Sequence, residues 1–70
     1  MARYAVAYVV FNSTQLSIEV VEANNWKIAI CLHSGVGEDA AKEFLKCSTV
    51  AEALQLASDM DSEIAILRIK

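Results

Sequence analysis

QLSIEVVEANNWKIAICLH, residues 15–33, decides the fold. Read with a period of two, it is a strand, a turn and a strand. Leu16, Ile18 and Val20 alternate with Gln15, Ser17 and Glu19, so residues 15–22 predict a half-buried antiparallel strand with the apolar set inward. The alternation slips at Val20-Val21-Glu22, which predicts a bulge. Asn24-Asn25 lies between apolar runs and predicts a tight hairpin turn, because Asn tolerates positive φ. Residues 26–33 then place Trp26, Ile28, Ile30 and Leu32 on one strand face and Lys27, Ala29, Cys31 and His33 on the other.

Outward from this hairpin, residues 3–11 are apolar on both faces, with Tyr4, Val6, Tyr8 and Val10 opposed to Ala5, Ala7, Val9 and Phe11. Such a strand belongs in the middle of a sheet. Asn12-Ser13-Thr14 is a turn cluster. Both glycines fall in Ser34-Gly35-Val36-Gly37, the clearest break in the chain. Glu38 to Lys46 predicts a short helix with Ala40, Ala41, Phe44 and Leu45 as its apolar stripe. Thr49-Val50-Ala51-Glu52 fits a capping box. Val50, Ala53, Leu54 and Ala57 continue it as an amphipathic helix over 50–60. Glu63 to Lys70 predicts a last strand, with Ile64 and Ile66 on one face and Ala65, Leu67 and Ile69 on the other.

The expected architecture is α+β: a two-layer sandwich, βββααβ, with a four-stranded antiparallel sheet in the order 4-1-2-3 and short helices on one face. Residues 1–70 are expected to form one small domain. A hydrophobic share of 56% excludes intrinsic disorder and raises the expectation of apolar surface buried against another subunit. The longest apolar run, Tyr4 to Phe11, falls short of a membrane helix and has no cleavage pattern after it, so a cytoplasmic protein without membrane contact is expected. Cys31 and Cys47 lie in apolar sequence and read as buried free thiols.

Charge is segregated. Between Glu38 and Glu63 stand seven acidic residues against Lys42 and Lys46, a net of −5. Residues 1–37 are neutral, with Arg3 and Lys27 against Glu19 and Glu22. The six basic residues are scattered, which argues against direct nucleic-acid binding. Glu38, Asp39 and Glu52 complement the dipoles of first helical turns. Asp59, Asp61 and Glu63 do not, since they cluster where the last helix ends and its dipole is negative. Ser34-Gly35-Val36-Gly37 lacks a dinucleotide or P-loop signature, and the two acids after it would repel phosphate.

The chemical inventory is thin, and no enzyme and no cofactor are expected. The leading expectation is a non-enzymatic protein-interaction module whose partner is a protein with a basic surface, with Asp59, Asp61, Glu63, Glu43, Glu19 and Glu22 as contact residues. This profile is similar in type to that of small inhibitors made by phages and other mobile elements, anti-CRISPR proteins among them. That likeness implies an acidic inhibitor covering a nucleic-acid-binding surface. The alternative is a small metal-binding protein or enzyme using Cys31, His33 and Cys47. A homodimer is also expected, because Ala5, Ala7, Val9, Phe11, Ala65, Leu67 and Ile69 would otherwise form a large exposed apolar patch.

Overall fold

The computed structural model describes residues 1–9 and 15–69. Its elements are β1 (Ala2–Val9), β2 (Ser17–Ala23), α1 (Trp26–Leu32), α2 (Glu38–Leu45), α3 (Val50–Asp59) and β3 (Glu63–Ile69). The class is α+β with an antiparallel sheet, as expected. The sheet has three strands in the order β2-β1-β3 in place of four strands in the order 4-1-2-3. β1 is central and pairs antiparallel with β2 on one side and β3 on the other. Val10, Phe11, the turn at 12–14 and Lys70 lie outside the described residues.

The missing strand is α1. Asn25 does not turn a hairpin; its side chain accepts a 3.0 Å hydrogen bond from the Ile28 amide and caps the helix. Trp26, Ala29, Ile30 and His33 follow at i, i+3, i+4 and i+7, a helical stripe. Ala29 and Ile30 are adjacent and both 0% exposed, which a strand with one covered face does not allow. Leu32, which the strand reading sets on one face with Ile30, is half exposed while Ile30 is buried. The α1 segment satisfies both periods, and burial of the Ala29/Ile30 side selects the helix.

β2 is inverted relative to expectation. Its register with β1 runs without interruption from Ala2↔Ala23 to Tyr8↔Ser17, so there is no bulge. Tyr4 and Tyr8 are buried beneath the helices, and Val21 and Ser17 share their face. Ile18 and Val20 therefore face away from the core, and Glu19 lies on the helical side. A carboxylate is tolerated there because Ser34 satisfies it, as described below.

Tyr4, Val6 and Tyr8 of β1, Ile64 of β3, Ala29 and Ile30 of α1, Phe44 of α2 and Ala53 and Ala57 of α3 form one buried cluster. The Thr49 half of the capping box is present, and the Glu52 carboxylate reaches back one residue past the cap, to Ser48. The Thr49 Oγ1 accepts from the Glu52 amide at 3.2 Å, and the Glu52 carboxylate accepts from the Ser48 amide at 3.3 Å. α3 closes in a Schellman motif: Ser62 N–H donates to Ala57 O (2.8 Å) and Asp61 N–H to Ser58 O (3.0 Å). That motif requires a left-handed residue after the cap, and Asp61 supplies it at φ 55.

Candidate functional site

His33 joins the helical layer to the sheet. It is 1% exposed, immediately after α1. Gly35 N–H donates to its Nδ1 at 2.9 Å, so Nδ1 carries no proton. Nε2–H then donates to the Ser17 carbonyl at 3.0 Å. The Tyr8 ring packs against the imidazole, with centroids 5.8 Å apart and planes tilted by 56°. Both ring nitrogens are committed to backbone, which leaves neither for a substrate proton or a metal.

Glu19 completes this clasp from β2. Its carboxylate accepts from the Ser34 amide at 3.2 and 3.3 Å and from the Ser34 hydroxyl, and stands 4.0 Å from His33 Nδ1. Both Ser34 bonds, the hydroxyl foremost, hold the Glu19 pKa below its ordinary 4.5, helped by His33 and opposed by desolvation. A carboxyl that titrates lower in the folded state adds stability above the unfolded value and loses it as pH falls through the folded one. The melting temperature is therefore expected to drop as pH falls below 4.5, and Glu19→Gln to shrink that drop while lowering stability at pH 7. Thermal melts of both proteins at pH 7 and pH 3 check this; an equal drop in both would remove Glu19 as its source.

The cysteines take no part in a shared site. Cys31 Sγ donates to the Ala41 carbonyl at 3.5 Å across the α1–α2 contact, and Cys47 Sγ to the Glu43 carbonyl at 3.8 Å. Burial pushes both thiol pKa values up, reinforced at Cys47 by Glu52 and Glu43. Raised thiol pKa values are the reverse of what a nucleophile or a metal-binding thiolate needs. Among the described residues no three His, Cys, Asp or Glu side chains come together to hold a metal. Cys31 and His33, placed on one strand face by the sequence, and Cys47, the possible third ligand, are not brought together among the described residues. α1 replaced that strand, and each group found its own backbone partner.

The six carboxylates expected to form one contact surface separate into three places. Glu19 is spent inside the clasp. Glu22 stands at one end of the open sheet face, opposite Arg3 in register. Glu63 stands at the other end of that face, opposite Val9, and begins just past the α3 cap that holds Asp61. Asp59 accepts from the Gln55 amide at 3.0 Å, and the last turn of α3 has no basic residue. Glu43 and Asp59 line an open hollow between α2 and α3, together with Glu52 and Lys46. The Glu43–Lys46 pair there is 3.3 Å long and exposed on both sides, so it adds little stability. The sequence assigns Glu52 a place in the first turn of α3, as a cap and as a complement to the helix dipole. Its second place, in the hollow, depends on how α2 packs on α3.

No protein family, curated protein or solved structure matches this chain.

The remaining surface feature is the sheet face turned away from the helices. Ile18, Val20 and Leu67 project from it at 63%, 60% and 68% exposure around Ala5, Ala7 and Ala65. Among the described residues no helix is long and apolar enough to cross a membrane.

Proposed function

We propose that this chain is a non-enzymatic protein-interaction module that engages a basic protein surface with its acidic end. Asp59, Asp61 and Glu63 form that end, and Glu43 with Glu52 extends it into the α2–α3 hollow. The observation that carries the reading is Asp61. It occupies the left-handed position after α3, where glycine is the unstrained choice, and it places a carboxylate at the negative end of the helix dipole. The left-handed conformation costs Asp less than most residues, but the helix dipole disfavours its charge, so a contact outside the fold is the reading that accounts for it. A partner surface that is basic because it holds nucleic-acid phosphates would be blocked by this contact, and the chain would then act as an inhibitor.

Two variants test this. D59K/D61K/E63K is expected to abolish capture of the basic partner from host lysate without lowering the melting temperature. Asp61→Gly is expected to change stability by less than about 1 kcal/mol, because Asp is among the residues that tolerate the left-handed conformation, and to weaken capture. Wild-type capture should weaken as salt rises, mainly through slower association. If capture is indifferent to the triple reversal, the carboxylates serve only to keep a very hydrophobic chain in solution.

A further inference from the structure

The open face of the sheet has a relief complementary to itself. Ala5 and Ala7 of β1 and Ala65 of β3 form a low floor, with Ile18 and Val20 raised on the β2 side and Leu67 on the β3 side. Of these side chains, Ala5, Ala7, Ile18, Ala65 and Leu67 line an apolar trough along β1. Ridge to ridge it spans two strand spacings, roughly 9.6 Å, which is room for the side chains of one further strand. At one end of the face, Arg3 and Glu22 sit side by side in register.

We propose that two copies of this chain pack sheet on sheet about a two-fold axis that runs parallel to the strands, between β1 and β2. Each β2 then lies in the trough of the other copy. The register within the sheet dictates the contacts: Ile18 over the partner's Ala7, Val20 over the partner's Ala5, and Glu22 over the partner's Arg3. Each large side chain that β2 brings to the seam meets an alanine and Glu22 meets a guanidinium, and the two-fold axis makes each contact twice. The other aligned packings are poorer. β1 on β1 sets alanine on alanine, which leaves a void, and Arg3 on the partner's Arg3. β3 on β1 sets Ile69 on the partner's Arg3 and Glu63 on the partner's Val9, and so buries charges without partners.

Charge favours this face for a second copy. The net −3 of each chain opposes self-association, and the acids of the acidic end dominate that charge. The open face carries Arg3, Glu22 and Glu63 as its charged side chains among the described residues, and the first two pair across the seam. The axis also brings both acidic ends to the same end of the dimer. Glu63 and the partner's Glu63 lie roughly 17 Å apart from strand and sheet spacings, beyond the ~8 Å Debye length at physiological salt. The two strands of each copy that face the partner cover roughly 10 × 23 Å, well short of the ~800 Å² per partner of a standard interface, so the dimer dissociates on dilution.

Light scattering from roughly 1 µM to 1 mM tests the proposal, with circular dichroism confirming that each variant folds. The mass is expected to rise from the 7.6 kDa chain toward twice that value. Ile18→Lys, at an exposed position, is expected to hold the protein at monomer mass throughout. Arg3→Glu is expected to weaken the dimer about tenfold, and R3E/E22R to recover most of that loss. A mass of 7.6 kDa at every concentration overturns the proposal. So does a dimer indifferent to Ile18→Lys, or a charge swap no tighter than Arg3→Glu alone. None of these variants touches Asp59, Asp61 or Glu63, so failure of the dimer and failure of partner capture are read separately.

Discussion

Phe44→Ala is expected to leave the chain largely without cooperative folding. Phe44 is 0% exposed and is the one side chain that α2 buries completely. A buried Phe→Ala change costs roughly 3–5 kcal/mol through lost transfer energy and the cavity left behind. A chain of this length holds only about 4–10 kcal/mol in total. α2 has eight residues, too few to be helical without packing. Once its anchor is gone, the helix, the Cys31 contact to Ala41 and the lining of the α2–α3 hollow are lost together. Urea titration followed by circular dichroism should show a midpoint near zero denaturant, or no transition. Phe44→Leu keeps most of the volume and is expected to retain a clear transition. A Phe44→Ala midpoint close to that of the wild type would mean that α2 is not held by this side chain.

His33→Phe is expected to lower stability as well, for a different reason. It keeps a ring in the cluster but removes both hydrogen bonds, to Gly35 N–H and to the Ser17 carbonyl. Ser17 and Gly35 are exposed residues whose freed groups can turn to water, so each lost bond costs about 0.5–1.5 kcal/mol and the pair roughly 1–3 kcal/mol. The loss is local in origin, and hydrogen exchange locates it: the Gly35 amide should lose its protection first. Gly35→Ala approaches the same contact from the other side. A Cβ there would lie 3.2 Å from the His33 ring and 3.3 Å from Tyr8, tight enough to displace the imidazole from Gly35 N–H. If His33→Phe matched the wild type in denaturant, the clasp between β2 and the turn after α1 would contribute nothing to the fold.

The second variant acts where the sequence was hardest to read. Residues 26–33 alternate well enough for a strand, yet they also carry the Trp26, Ala29, Ile30, His33 stripe of a helix. Over so short an apolar run the two periods cannot be told apart, and the overlooked signal was Asn25 as a helix cap. The same ambiguity explains the metal expectation, which needed Cys31 and His33 on one strand face. The acidic end was legible in part: its clustering is a property of the sequence. The left-handed conformation at Asp61 and the separation of Glu19 and Glu22 from the rest required the structure.

What the sequence determined by itself were the features that local chemistry specifies. β1 is central because both its faces are apolar, β3 lies beside it, and α3 begins where Thr49 and Glu52 cap its first turn. Only the tertiary structure decided which face of β2 is buried. A strand with Leu16, Ile18 and Val20 on one side and Glu19, Val21 and Ala23 on the other can turn either way. It turned its carboxylate inward because the Ser34 amide and hydroxyl, brought there by α1 and the His33 bond to Ser17, satisfy Glu19. The branched side chains of Ile18 and Val20 were left on the outside, at the face where a second copy is proposed to pack.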